Sequence, residues 1–323
     1  MKIRANGIDI EIEDSAHGQP PRASQPVVLL IMGLGMQLVA WPPEMVQGLV
    51  DAGFRVIRMD NRDIGLSQHF DHLGKPNLLW ASLKYKLGIQ AVAPYTVEDM
   101  AQDALGVLDT LKIKYAHIVG VSMGGMIAQR VAIAAPKRVL SLTSIMSSSG
   151  ARDLPKPKPE VLRVMLRRPG RNPAAVIDHY VHLFKAIGSP AYPVAEPDMR
   201  SRIALGINRS FHPVGTLRQM LAIVSDTDRV TQLPKISSRT LVLHGSADPL
   251  VPLAHGQDTA ERIAGARLVT IEGMGHDLPP EPVRQMLAAM IPHMGATARP
   301  TSAPTATPAA TSETAEAVAG SAV

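Results

Sequence analysis

The stretch Gly120-Val121-Ser122-Met123-Gly124-Gly125 constrains this chain more than any other. His117-Ile118-Val119-Gly120 before it is apolar and β-branched, as a buried strand is. Met126-Ile127-Ala128-Gln129-Arg130-Val131-Ala132-Ile133-Ala134-Ala135 after it reads as a helix that Pro136 stops. A serine at such a sharp strand-to-helix turn is held outward, with the next backbone N–H and the helix N-terminus beside it. Gly120 and Gly124 let strand and helix approach closely there. The geometry exposes a hydroxyl and supplies main-chain donors for an oxyanion. Gly-x-Ser-x-Gly alone also fits a glycine-rich turn with a surface serine, so a base and an acid further on must decide.

Both lie where an alternating chain would put them. Residues 27–32 and 54–59 read as strands, 97–111 as a capped helix starting at Thr96, and 140–146, 240–244 and 267–271 as further strands. Strands alternating with helices give an α/β fold, a mostly parallel open sheet with helices on both faces. An antiparallel hairpin turning at Asn6-Gly7 precedes it. Parallel strands carry their functional loops at one edge, and Ser122, Asp248 and His276 each follow a strand. Serine needs an imidazole to take its proton, and the imidazole needs a carboxylate to fix its tautomer. The order Ser, Asp, His suits a serine on a strand-turn-helix elbow. Asp226 and Asp228, near the end of the helical segment, are the rival acids; Asp248 is preferred because it follows the strand 240–244.

These residues resemble a known family. Gly120-Val121-Ser122-Met123-Gly124-Gly125, Gly245-Ser246-Ala247-Asp248-Pro249-Leu250-Val251-Pro252 and Gly273-Met274-Gly275-His276 look like the nucleophile, acid and histidine motifs of the α/β-hydrolase fold superfamily. Asp60-Asn61-Arg62-Asp63-Ile64-Gly65-Leu66-Ser67 resembles its Asp-x-Arg-Gly-x-Gly-x-Ser loop, with Asp63 where Gly is usual. Ile31-Met32-Gly33-Leu34-Gly35-Met36 and Trp41-Pro42 look most like the serine esterase branch that includes aclacinomycin methylesterase. Met32 stands where that family usually has His. The resemblance implies Ser122, His276 and Asp248 as catalytic triad and the Leu34 and Met123 N–H groups as oxyanion hole. It implies no cofactor and no metal.

The expected function is hydrolysis of carboxylic esters through an acyl-enzyme, with a small-molecule ester as substrate, no nucleic-acid partner and no membrane span. Cofactor-free haloperoxidase and carbon–carbon bond hydrolysis use the same three residues. A non-catalytic receptor on this fold would be favoured by a degraded triad, and this one is complete. Dehalogenase and epoxide hydrolase chemistry need a carboxylate nucleophile, which Ser122 is not.

The rest of the chain sets the context. Residues 1–146 and 233–294 are expected to form the core, 147–232 a helical lid, and 295–323, rich in Ala, Thr, Ser and Pro, a disordered tail. With 46% hydrophobic but only 3% aromatic residues, the core must rest on aliphatic side chains. No cysteine is present, which excludes disulfides and a thiolate nucleophile. The net charge of +5 is matched by the segment 152–171 alone, where Arg152, Lys156, Lys158, Arg163, Arg167, Arg168 and Arg171 stand against Asp153 and Glu160. No aromatic residues interleave those charges, so a solvated face is expected rather than a nucleic-acid site. The longest apolar run, 27–36, is too short to span a membrane, the N-terminus lacks a signal-peptide core, and the expected location is cytoplasmic. His69 with His72, and His179 with His182, have metal-like spacing without an acidic cluster, which favours surface positions.

Overall fold

The structure is a computed structural model; it describes residues 1–18, 25–77, 80, 92–167, 170 and 172–295. The expectation of a disordered tail falls almost entirely outside those residues. An eight-stranded sheet runs in the order β1-β2-β4-β3-β5-β6-β7-β8. β1 (Lys2–Ala5) and β2 (Ile8–Asp14) form the antiparallel hairpin, with Asn6 and Gly7 at φ 47° and 75°, the left-handed pair a two-residue turn needs. β2 pairs antiparallel with β4 (Arg55–Met59). From β4 through β3 (Val27–Ile31), β5 (Ala116–Val121), β6 (Val139–Ile145), β7 (Arg239–Gly245) and β8 (Arg267–Ile271) every pairing is parallel.

Two apolar layers follow from the period-two alternation of these strands. On one face Leu29, Ile31, Ile118 and Leu142 pack with α2 (Val97–Thr110) and α3 (Met123–Ala134). On the other, Val28, Leu30, Val119, Leu241 and Leu243 pack with α1 (Pro43–Asp51) and α9 (Pro280–Gly295). All five β3 residues are buried, which is why the strand reads as one apolar run rather than an alternation. α2 starts with a full capping box, Thr96 and Asp99 bonding each other's backbone N–H.

Between β6 and β7 lie α4 (Pro159–Leu166), α5 (Pro173–Ile187), α6 (Glu196–Arg209) and α7 (Pro213–Ser225); α8 (Ala254–Arg262) separates β7 from β8. The sequence pattern marks α4, α5 and α6 but not α7. The reason is that α7 buries polar side chains: Arg218 and Gln219 are both fully buried. Arg218 forms two hydrogen bonds with Asp63, Nε to Oδ2 at 2.6 Å and Nη2 to Oδ1 at 2.8 Å. Asp63 also accepts from the Tyr95 hydroxyl and the Phe70 N–H, both at 2.9 Å. Asp63 sits at φ 73°, the conformation glycine adopts freely. Its carboxylate accounts for the residue: a buried guanidinium from α7 needs a partner there.

Burial alone would raise the Asp63 carboxyl, but the Arg218 hydrogen bonds, the Phe70 N–H and the Tyr95 hydroxyl hold it below the ordinary range. A depressed folded pKa means its contribution is complete above the unfolded value near ~4 and fades as pH falls below it. Removing one partner of such a pair strands the other charge, a loss of about 3–5 kcal/mol. We therefore expect Arg218→Met to lower the urea unfolding free energy by that amount at pH 7. In a cycle with Asp63→Gly the coupling should reach about 2 kcal/mol, and Asp63→Asn should weaken the acid limb of the stability curve. An Arg218→Met loss below about 1 kcal/mol would show that the pair does not hold α7 down.

Candidate active site

The turn after β5 places Ser122 at φ 55°, ψ −120°, a strained conformation for a residue with a Cβ. Its neighbours leave no room for side chains. A Cβ at Gly120 would lie 2.0 Å from the Gly124 carbonyl oxygen, and one at Gly124 would lie 2.0 Å from that of Ile31. Although Ser122 caps α3, its hydroxyl makes no capping bond. The positive φ swings the Oγ away from the helix and leaves it for another partner.

That partner is His276, whose Nε2 lies 3.0 Å from Ser122 Oγ, while its Nδ1 lies 2.6 Å from Asp248 Oδ2. Asp248 and His276 are buried, 5% and 8% exposed, so little water competes for either bond. The other Asp248 oxygen accepts the Leu250 and Val251 N–H groups at 2.9 and 2.8 Å, fixing the plane of the carboxylate. A carboxylate only accepts, so Nδ1 carries the proton and Nε2 offers its lone pair to the serine hydroxyl.

The histidine loop is held from both sides. Gly273 N–H donates to Ser246 Oγ at 2.8 Å, and Ala247 N–H to the Met274 carbonyl at 3.0 Å, joining the acid and histidine loops. His276 N–H donates to the Ile187 carbonyl at 2.7 Å, and Gly275 N–H to Ser189 Oγ at 2.9 Å, so the end of α5 braces the loop. Asp277 bonds Ser189 as well, and burial pushes its carboxyl up. His244 donates through Nε2 to the Val251 carbonyl at 2.7 Å and closes the acid loop. Burial holds it below the ordinary imidazole range, and it stays neutral beside Asp248.

The rival acids are engaged elsewhere. Asp226 accepts from Arg130 Nε at 3.0 Å and from Arg229 Nε at 2.6 Å, and Asp228 pairs with Arg130. Arg229, only 1% exposed, also donates to Gln129 and to the Ser148 carbonyl. These contacts anchor the chain leaving α7.

In front of Ser122, the loop after β3 brings Gly33 so close that an added Cβ would stand 3.3 Å from Ser122 Cβ and 3.8 Å from Oγ. Next to it the Leu34 N–H, like the Met123 N–H at the start of α3, finds no acceptor among the described residues. Both N–H groups flank the serine in the chain trace, Met123 as the residue after it and Leu34 as the residue after Gly33. The structure thus joins Ser122, His276 and Asp248 through hydrogen bonds and sets the Gly33–Leu34 segment against the serine. Residues that the sequence did not single out hold the loop: Asn61 Nδ2 donates to the Met32 carbonyl at 2.8 Å, Leu38 N–H donates to Asp60 Oδ1 at 2.7 Å, and Gln219 Oε1 accepts Gly35 N–H at 3.0 Å. Burial raises the Asp60 carboxyl, against the pull of Leu38, Leu66 and Arg209.

Among the described residues, one group of histidine and carboxylate side chains has ligand atoms within 4.8 Å of one another: His69, Asp71 and His212. Thus His69 meets His212 and Asp71 rather than His72. The geometry does not suit a metal. The His69 and His212 rings stack 3.9 Å apart and 2° from parallel, so their in-plane lone pairs do not converge. His212 Nδ1 is held by the Asp63 carbonyl and Nε2 by Asp71 Oδ1, both at 2.8 Å, and Arg218 stands 3.3 Å from that same oxygen. No helix among the described residues is long and apolar enough to cross a membrane.

A sheet of this topology with a serine elbow, a late histidine and an acid loop defines a class, and comparison with known proteins agrees. A family model for the alpha/beta hydrolase fold matches residues 26–282, and the chain belongs to that family. It is 30% identical over 290 residues to rhodomycin D methylesterase DnrP of Streptomyces peucetius, covering 83% of this chain and 91% of that protein. It is 28% identical over 284 residues to 2-hydroxymuconate semialdehyde hydrolase of Pseudomonas sp. (strain CF600), covering 85% and 86%. In fold it resembles the enol-lactonase from Burkholderia xenovorans LB400, with TM-score 0.68 at 20% identity, covering 91% of this chain and all (100%) of that one.

Proposed function

We propose that this protein is a serine hydrolase of carboxylic esters. The observation that carries the reading is the continuous relay Ser122–His276–Asp248, at 3.0 and 2.6 Å, beside two unpaired main-chain N–H groups. His276 Nε2 takes the hydroxyl proton as Ser122 Oγ attacks the ester carbonyl. The carbonyl oxygen becomes an oxyanion held by the Leu34 and Met123 N–H groups. Collapse breaks the bond to the alcohol, which leaves with the proton from the imidazolium. A water, deprotonated by His276, then attacks the acyl-enzyme and releases the acid and the free serine. Asp248 stabilises the imidazolium in both halves.

The helices between β6 and β7 act as the lid over this site. A cleft open at its mouth begins at Gly35 and Met36 and runs between that loop and α5 and α6; Ser122 and His276 do not line it. Phe184, Ile203, Ile207 and Phe211 line it, an apolar wall that an apolar part of the ester would meet. The relationship to a methylesterase supports a small alcohol leaving group with the bulk on the acyl side.

A fluorophosphonate probe should label Ser122 stoichiometrically, and methyl esters of large apolar acids should turn over faster than esters of acetate. Hydrolysis of a vinylogous diketone or peroxide-dependent halogenation, with no ester turnover, would move the assignment to carbon–carbon hydrolysis or perhydrolysis on the same residues. A probe that labels nothing would reject a serine enzyme.

A further inference from the structure

We propose that Gln219 is a positioning residue that sets the direction of the Leu34 N–H, and that α7 thereby forms part of the oxyanion machinery; this rests on the serine-hydrolase reading above. Gln219 is fully buried on α7. Its Oε1 accepts the Gly35 N–H at 3.0 Å and its Nε2 donates to the Arg62 carbonyl at 2.9 Å. Both partners are backbone groups of fixed polarity, so the amide has one orientation that satisfies both.

The peptide unit that matters joins Gly33 to Leu34. Its carbonyl accepts the Met36 N–H at 3.2 Å, inside a tight turn. In a trans peptide the N–H points opposite to the C=O, so the Leu34 N–H faces out of the turn. Rotation of that plane is prevented by clamps on the two flanking units. Asn61 holds the Met32 carbonyl on one side, and Gln219 holds the Gly35 N–H on the other. The thioether of Met32 has no proton to donate, so the loop depends on these outside amides.

The clamp is only as firm as the helix carrying it, and α7 is fixed at three adjoining places. Arg218 pairs with Asp63. A Cβ at Gly215 would lie 2.1 Å from the Asp63 carbonyl oxygen, and one at Gly35 would lie 2.9 Å from Thr216. Helix and loop are thus in direct contact along one turn, and a helix inserted between β6 and β7 dictates a main-chain donor after β3.

The test uses the full-length protein and 4-nitrophenyl butyrate. Gln219→Met keeps length and burial but removes both hydrogen bonds. It should lower kcat about 10- to 100-fold with KM within about twofold, short of the ~10²–10³ lost when an oxyanion donor is deleted outright. Affinity for an alkyl boronic acid, whose tetrahedral adduct carries the oxyanion, should fall by the same factor. Gln219→Glu, whose protonated carboxyl offers the same acceptor and donor, should restore kcat to within about threefold. If Gln219→Met does not fold, Gln219→Asn, too short to span both partners, carries the same expectation. Wild-type kcat and boronate affinity in the folded variant, with fluorophosphonate still labelling Ser122, would overturn the role of Gln219 alone. A wild-type protein that neither labels nor turns over ester would overturn the hydrolase reading and this inference with it.

Discussion

Ser122→Ala is expected to abolish fluorophosphonate labelling and to lower kcat/KM for ester hydrolysis by roughly 10⁴- to 10⁶-fold. The size follows from how a triad works: serine and histidine act as a unit, so loss of either removes nearly all of what the three supply together. What remains is catalysis by binding and by the Leu34 and Met123 N–H groups, still about 10³ over water. The fold should survive, because the Ser122 hydroxyl caps no helix and its hydrogen-bond partner is His276. Ser122→Gly should be equally inert yet more stable by about 1 kcal/mol, since φ 55° costs glycine nothing. Stability that rises while turnover vanishes would mark the elbow as strain kept for chemistry. Turnover within tenfold of wild type in a folded Ser122→Ala protein would reject Ser122 as nucleophile.

What the sequence revealed of this site, and what it concealed, divides along a physical line. Ser122, Asp248 and His276 were legible because each follows an apolar strand and the three occur together, in the order a serine elbow needs. Parallel topology then delivers the three turns to one edge of the sheet. Of the two N–H groups proposed to face an oxyanion, that of Met123 follows from the elbow itself, while that of Leu34 was legible only through family resemblance, since a backbone N–H leaves no mark on the residue that carries it. The buried polar scaffold was not legible. Arg218 and Gln219 interrupt the apolar pattern of α7, and their partners stand far off in sequence, at Asp63, Gly35 and Arg62. Periodicity reports burial of apolar groups; it is blind to a guanidinium or amide that is buried because it is paired. Asp63 was visible as an exception to its loop pattern, but its reason, Arg218, appears only in three dimensions. His69 fared likewise, since spacing suggested His72 while the fold supplies His212.

Asp248→Asn should lower kcat about 10⁴-fold while leaving the protein folded, whereas Asp226→Asn and Asp228→Asn should each cost less than about tenfold in turnover. At position 248 the two oxygens have separate roles. Oδ1 accepts two backbone N–H groups, and Oδ2 faces His276 Nδ1. An asparagine keeps its oxygen toward the backbone donors, which only an acceptor satisfies, and so turns its NH₂ toward Nδ1. Two donors cannot share that contact. The imidazole moves its proton to Nε2, and the nitrogen facing Ser122 can no longer take one. Asp226 instead neutralises Arg130 and the buried Arg229, so its substitution should appear chiefly as lost stability. Asp228, 63% exposed at its side chain, should matter little for either. Urea unfolding and ester kinetics on the three purified variants separate these effects. If Asp226→Asn or Asp228→Asn removes activity in a folded protein while Asp248→Asn retains it, the acid belongs at the end of α7, and only the Ser122–His276 pair stands.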